Sequence, residues 1–556
     1  MSTIITLVRS LFRFRLPTLA LLFVALLTIA YFCLAHEGLY ALDDYYYSQY
    51  AYQLLHGTIQ LQPDPRHLLH DPLHERWMIF GPVALLYQLA GLNIISTTLW
   101  PLLCTLGCAG LLWALYRRRA PVVAGTAIVL LGLHYFTLDL TRYLYPDNIL
   151  MFWALAGAAA LLRGRQALRH QVGWGVGFAA LSFAAFLSKE TIVYYLPFYL
   201  VVVGRDAYYR RHGYFWVSAL LSGMALLAAY LLFYKVQTHD ALYRLHLIEY
   251  TNEFLKDNNY LLGNRAALWG RITWQPLAFF VGSGMGLMLL FAGVALIRMR
   301  QLGSPEERFW LALMLSTLAL YWLGSTSLSQ YNPITLLPRM TTPLLPPLCL
   351  AAGFGLDYLV RTGRGLGWVA LVLVGMATWL HNSLSVVYAL PGLYFFGAWL
   401  GLKLRRWPLA LQPGRAGLAA LTLLVLAGTL SIRPIYFMRK PTVSSHFAQD
   451  RLIRRYLTAP APRGTVFVDD YLIGNYDFYY RYQVPAGLHY RRYWARDSVR
   501  QTPSQPAWLL LNRSTLTNDE LTRKLIRYSP DSVLSWYPRR RLVAQDGQVD
   551  LYRVFP

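Results

Sequence analysis

Thirteen long apolar runs, with arginine and lysine gathered in every second loop between them, limit what this chain can become. They read as membrane spans at 16–36, 93–116, 121–138, 147–163, 172–188, 190–204, 214–234, 275–297, 309–326, 340–360, 366–386, 388–402 and 415–433. About 20 apolar residues in one helix cross the hydrocarbon layer with every backbone group satisfied internally. With 56% hydrophobic and only 14% charged residues, the 556-residue chain lies outside the range of soluble globules. Segments 190–204 and 388–402 are short for a crossing, so the pairs 172–204 and 366–402 also read as re-entrant hairpins.

A formal net charge of +24 would suit a nucleic-acid binder, but its distribution argues for a membrane. With the N-terminus inside, Arg9, Arg13 and Arg15, Arg117 to Arg119, Arg163/Arg165/Arg169, Arg205/Arg210/Arg211, Arg298/Arg300/Arg308, Arg361/Arg364 and Lys403/Arg405/Arg406/Arg415 fall on one side. The opposite loops before residue 433 hold fewer than half as many cations. That is the positive-inside pattern, and it excludes nucleic acid as the expected partner in favour of the bilayer. The loop around Gln412 is then inside and Ser504 outside. The first run has basic flanks but no small-residue cleavage site, so it reads as a retained span. Cys33, Cys104, Cys108 and Cys349 all lie inside apolar runs, where cysteine behaves as a buried hydrophobe.

Everything large is thereby expected outside: a first loop at 37–92, a long loop at 235–274 and a terminal domain at 434–556, beyond a membrane domain at 1–433. The terminal domain alternates helix (443–458), strand (465–468), helix (471–482), strand (508–511), helix (517–528) and strand (549–555), which suggests a small soluble α/β layer structure. No glycine loop of the dinucleotide type opens its helices. The chain shows no internal repeat and no interrupted span.

The candidate chemistry begins at Asp43 and Asp44. If 43–55 is helical, Asp43, Tyr47, Tyr50 and Leu54 share one face, and Asp44 points about 100° away. One carboxylate then serves a pocket while the other is held by structure or solvent; the plainer reading is an N-cap opening an interfacial helix. Four further polar sites fall at outer span ends: Thr141 to Asp147 with Arg142, Ser188-Lys189-Glu190, the loop around Arg265 and Arg271, and Tyr331 to Arg339. Charges beside apolar segments are costly and mark function, although Lys189 and Arg339 are long enough to snorkel to headgroups and Asp147 is placed to cap a span. His67, His70 and His74 with Glu75 resemble a metal cluster, but Asp71-Pro72 interrupts any single helix through them.

Asp43-Asp-Tyr-Tyr-Tyr-Ser-Gln-Tyr-Ala-Tyr-Gln-Leu-Leu-His-Gly57 resembles the first-loop motif of the GT-C glycosyltransferases, among them protein O-mannosyltransferases and lipid A aminoarabinose transferases. Asp44 stands where that motif usually has Glu. Tyr145-Pro-Asp-Asn-Ile-Leu-Met-Phe-Trp153 is similar to the family's second acidic site. Leu187-Ser-Lys-Glu-Thr191 is similar to its Leu-Thr-Lys-Gly site, with Glu190 in place of glycine. Tyr331 to Gly353 resembles its proline-bearing tenth span, with Arg339 in place of the usual lysine. The resemblance implies an inverting transferase of the inner (plasma) membrane. It would move a sugar from a polyprenyl-phosphate donor to a hydroxyl on lipid, glycan or protein, with a GT-C-like membrane domain of about thirteen helices. It implies acids at Asp43, Asp44 and Asp147 and phosphate contacts from Lys189, Arg339 and Arg142; no cofactor is implied with certainty, and a divalent cation is compatible. The chemistry agrees. Nucleotide sugars are cytoplasmic, so an outward site needs its sugar on a lipid, and a phosphate leaving group needs no second carboxyl to protonate it. A flippase of lipid-linked saccharides, or an enzyme of the O-antigen polymerase or ligase type, is the alternative.

Overall fold

The computed structural model describes residues 2–39, 42–61, 74–167, 169–254, 259–404, 415–440, 445–458, 463–496, 506–517 and 528–555. His67, His70, Gln412 and Ser504 lie outside the described residues.

The chain is helical to residue 439. In order it forms α1 (Ser2–Leu34), α2 (Leu42–Leu55), α3 (Trp77–Ala90), α4 (Ile94–Tyr116), α5 (Pro121–Gly132), α6 (Tyr135–Asp139), α7 (Pro146–Gln166), α8 (Gln171–Phe186), α9 (Leu196–Tyr208) and α10 (Gly213–Thr238). There follow α11 (Tyr243–Phe254), α12 (Leu268–Ile272), α13 (Gln275–Gly282), α14 (Gly286–Leu302), α15 (Pro305–Leu323), α16 (Leu345–Thr362), α17 (Leu366–Leu380), α18 (Val386–Lys403) and α19 (Arg415–Arg439). All thirteen expected segments are filled by helix. Among the described residues five helices have the length and apolarity of full spans, rising to seven if each of two bent pairs counts as one. The helices in the other segments are shorter or less apolar. α8 with α10 and α17 with α18 form closely packed pairs.

The bent pairs correct the expectation of uninterrupted spans. α5 turns into α6 and the following turn by 62°, and α13 turns into α14 by 112°. The second break passes through Gly284 at φ +84°, a conformation that glycine adopts without steric cost. The two breaks are joined, because buried His134 Nε2 donates to the Ser283 carbonyl at 3.1 Å. The Tyr388 hydroxyl donates to Val281 O at 2.6 Å. A carbonyl freed at membrane depth is thus satisfied by side chains, the condition under which a broken helix is tolerated there. α16 crosses α5 and α14 at close range, and a side chain at Gly355 would collide with the Phe291 carbonyl. Small residues at such crossings let backbones approach.

The C-terminal domain opens with α20 (Ser445–Tyr456). Its strands are β1 (Gly464–Val468), β2 (Leu488–Arg492), β3 (Ala507–Asn512), β4 (Arg540–Asp546) and β5 (Val549–Val554). They form one sheet in the order β2-β1-β3-β5-β4, with β1 parallel to both β2 and β3 and the β3–β5–β4 half antiparallel. Val466, Val468 and Leu510 pack with Leu452 and Ile453 of α20 on one face. Phe467, Leu509 and Leu511 pack with Leu516, Val533 and Tyr537 on the other. Alternate residues of the central strands therefore meet two apolar layers. Two details depart from expectation. Segment 471–482 is turns and a short 3-10 helix at Tyr476–Tyr480, ending in Arg481 and Tyr482 at positive φ, and strands β2 and β4 were not anticipated.

This domain sits against α2. The Tyr45 hydroxyl pairs with His446 Nδ1 at 2.9 Å and with the Tyr479 hydroxyl at 2.8 Å, and the Tyr482 hydroxyl donates to Ser48 at 2.9 Å. Burial holds the His446 imidazole down to about 3, so it stays neutral and its Nδ1 can accept a hydrogen bond from the Tyr45 hydroxyl.

Candidate active site

α2 has two working faces. Tyr45, Ser48 and Tyr52 meet the C-terminal domain, while Asp43 and Tyr47, one turn apart, look toward Arg339 and Arg76. The Asp43 side chain retains 25% exposure, whereas Asp44 is fully buried. The sequence left open which acid serves a pocket; of the two, Asp43 is the one whose carboxylate stays accessible.

Facing Asp43 at 3.8 Å is Arg339 Nη1. It comes from the 3-10 turn Pro338–Thr341 that leads into α16, and its guanidinium lies 5.0 Å from the Tyr145 ring centre. The next residue, Met340, brings its sulfur to 3.1 Å from Lys189 Nζ. Lys189 in turn pairs with Asp147 Oδ1 at 2.8 Å, both residues being buried. Asp43–Arg339 and Lys189–Asp147 are therefore two ion pairs linked through Met340, with the two cations between the two acids, drawn from four separate stretches of sequence. Ion pairs this deep persist only when both partners are present.

A second group adjoins it. The Tyr47 hydroxyl accepts from Arg76 Nη1 at 2.8 Å, and Arg76 lies 3.3 Å from Glu190 and 3.4 Å from Glu75. Arg244, from α11 in the long loop, reaches Glu190 at 3.3 Å and donates to the Phe186 carbonyl at 2.7 Å. Lys189 and Glu190, neighbours in sequence, thus face the two groups. Burial pushes the Glu75 carboxyl up, opposed by Arg76 and Arg244. Sequence reading passed over Arg76; its only signal was an acid–base dipeptide directly before the amphipathic segment that became α3.

Two expected sites are placed elsewhere. Arg142 is paired with Glu37 at 2.8 Å and Asp139 at 2.6 Å, and it also donates to the Ala35 carbonyl. Arg271 is buried and donates to the carbonyls of Tyr321, Trp322 and Ile334 at 2.8 to 3.1 Å, while Arg265 bonds the Tyr331 carbonyl at 2.8 Å. Both fasten the segment that carries Arg339. His74 is buried with its ring 4.7 Å from Tyr50. Among the described residues no three His, Cys, Asp or Glu side chains are grouped to share a metal ion, and all four cysteines are free.

Behind α2, Asp469 follows β1 directly. Its carboxylate accepts from the Leu472 amide at 2.6 Å and the Thr515 hydroxyl at 2.9 Å, yet burial pushes it up to about 6. A folded-state value above the ordinary 3.8 means that stability from this group is complete below about 3.9 and is lost as pH rises through 6. Asp469→Asn is expected to raise thermal stability at pH 7.5, by on the order of 2 kcal/mol, and to give no gain at pH 4. Melting curves of the detergent-purified chain at the two pH values check this.

Residues 71–240 match the profile of the dolichyl-phosphate-mannose-protein mannosyltransferase family. The whole chain is similar to the crystal structure of ArnT from Cupriavidus metallidurans bound to undecaprenyl phosphate, at 17% identity and a TM-score of 0.57, covering 96% of this chain and 97% of that one. It is similar to the apo form of the same protein at 15% identity and a TM-score of 0.55, with the same coverage. The apo oligosaccharyltransferase of Archaeoglobus fulgidus matches at 11% identity and a TM-score of 0.48, over 95% of this chain and 73% of that one. No curated protein matches the chain by sequence. The full-length likeness to ArnT is a likeness of fold, that of the GT-C class. With the family match across α3 to α10, which contains Asp147 and Lys189, the chain is a multi-pass membrane glycosyltransferase.

Proposed function

We propose that this glycosyltransferase moves a sugar from a polyprenyl phosphate to an acceptor hydroxyl on the outer face of the inner (plasma) membrane. Asp43 takes the proton from the acceptor hydroxyl as it attacks the anomeric carbon. Direct displacement inverts that carbon, and the lipid phosphate leaves. Arg339 and Lys189 stabilise the charge that grows on the phosphate. Asp147 holds Lys189 in place, and Arg142 braces the site through Glu37 and Asp139 instead of contacting the phosphate. The observation that carries this reading is the part-exposed Asp43 carboxylate set 3.8 Å from Arg339, with Lys189 beyond the adjoining Met340. A bound undecaprenyl phosphate in the similarly folded ArnT supports a lipid donor. Comparing cell-surface glycolipids and glycoproteins by mass spectrometry, with and without the gene, tests the proposal and names the sugar. A sugar missing from one acceptor class is expected, and unchanged profiles count against transfer.

The flippase reading has one observation on its side, the two broken spans. Their junction, however, is closed by the hydrogen bond from His134 to the Ser283 carbonyl, and neither the Asp43–Arg339 pair nor the Lys189–Asp147 pair lies in it.

Outward orientation rests on the basic clusters and has its own test. In a cysteine-free background, Arg541→Cys in β4 is expected to react with impermeant thiol reagents in intact cells, and Arg118→Cys, between α4 and α5, to be protected. The reverse pattern overturns the orientation.

A further inference from the structure

The reaction proposed above makes no use of a cavity of about 40 Å³ between the C-terminal domain and the start of α2. It lies where β1 and β3, parallel neighbours, end side by side. After β1 the chain moves to β2 on one side, while β3 lies on the other, so this is the point where strand order reverses. In open α/β sheets ligands bind in the crevice outside the carboxyl ends of strands at such a point. Asp469 after β1 and Thr515 after β3 line the crevice, joined by their 2.9 Å hydrogen bond. The opposite wall is made by Leu39, Leu42 and Tyr45, on either side of Asp43 in sequence.

Two side chains of this lining remain unsatisfied. Gln449 on α20 and Asn475 after β1 are each 4% exposed, and the oxygens Gln449 Oε1 and Asn475 Oδ1 have no hydrogen-bond partner. A buried amide oxygen without a donor costs about 1–3 kcal/mol, so it calls for a ligand or water that donates. The space admits a few water-sized groups. Each Asp469 oxygen already accepts one hydrogen bond, from Leu472 or Thr515, so the acceptors of this lining left without any partner are neutral amides. Neutral acceptors in a buried place suit hydroxyl donors better than a cation, whose desolvation they would not offset.

We propose that this cavity is a saccharide subsite that takes one or two hydroxyl groups of a non-reacting sugar of a glycan acceptor, the ring staying outside it beside the first turn of α2, with Gln449 and Asn475 accepting from those hydroxyls. The identity of that sugar as part of the acceptor rests on the transfer reaction proposed above; its binding does not. The full chain in detergent is titrated with methyl α-glucoside, methyl α-galactoside and methyl α-mannoside, with glycerol as control, and followed by saturation-transfer NMR. Saturable binding of at least one hexoside is expected, weakened at least tenfold by Gln449→Met and by Asn475→Ser and unchanged by Asp43→Asn. With a glycan acceptor, Gln449→Met is expected to raise the acceptor KM about tenfold and leave kcat within twofold. If either variant fails to fold, the other decides. No saturable hexoside binding, equal binding by the variants, or loss of binding in Asp43→Asn overturns the subsite. Hexoside binding that follows the variants, in a protein that transfers no sugar, leaves the subsite standing and removes the transferase reading.

Discussion

Asp43→Asn is expected to give a protein that inserts and folds as the parent does while sugar transfer falls by about 10²- to 10⁴-fold, the usual contribution of a general base. Asparagine keeps the size of the side chain and loses its basic site. The 3.8 Å contact with Arg339 is long and partly exposed, so its loss changes stability by about 1 kcal/mol or less. Asp44→Asn should behave differently. Asp44 is fully buried, so its replacement is expected to lower yield and melting temperature more than turnover. Purified variants compared at matched folded fraction separate the two effects. Near-normal transfer by the Asp43 variant would move the base to another carboxylate.

The second large effect is expected at Lys189. Lys189→Met leaves the Asp147 carboxylate buried without its partner, and breaking such a pair costs about 3–5 kcal/mol. Adding Asp147→Asn removes the stranded charge. The double variant is therefore expected to recover most of the melting temperature and to remain defective in transfer. A lysine that only snorkelled to headgroups would give stable proteins in both cases, and a purely structural pair would let the double variant regain activity. Melting curves and transfer rates of the parent, both singles and the double decide among these outcomes, because coupling between touching residues appears as non-additivity.

What the sequence disclosed was local in kind. Spans and basic clusters are contiguous, so their positions could be read directly. β1 and β3 were legible because both faces of those strands are covered and Val466-Phe-Val468 and Ala507-Trp-Leu-Leu-Leu511 run apolar without a break, whereas β5, Val549-Asp-Leu-Tyr-Arg-Val554, mixes apolar and charged residues. β2 and β4 lie at the sheet edges, and Leu488-His-Tyr-Arg-Arg492 and Arg540-Arg-Leu-Val543 carry the charges that keep an edge from pairing further. Those charges erase the strand signal. The break at Gly284 was hidden because summed hydropathy ignores glycine geometry, although Gly282-Ser-Gly-Met-Gly286 carried a breaker pattern. Asp43 stood out because it is an acid at the mouth of an apolar run. Arg339, Lys189 and Asp147 stood out in the same way, as charges at span ends, but which of them touch did not, since they meet through tertiary packing that no spacing encodes. The same limit concealed the joint between Tyr45 and the C-terminal domain, whose partners lie about 400 residues apart.

Polyprenyl phosphate release is the measurement closest to the central claim. Purified protein given a polyprenyl-phosphate sugar and an acceptor is expected to release one free polyprenyl phosphate for each glycosylated acceptor, with the anomeric configuration inverted and both products lost together in Asp43→Asn. If the lipid-linked sugar instead crosses vesicle membranes intact and no polyprenyl phosphate is released, the account is contradicted and the chain moves saccharides without transferring them.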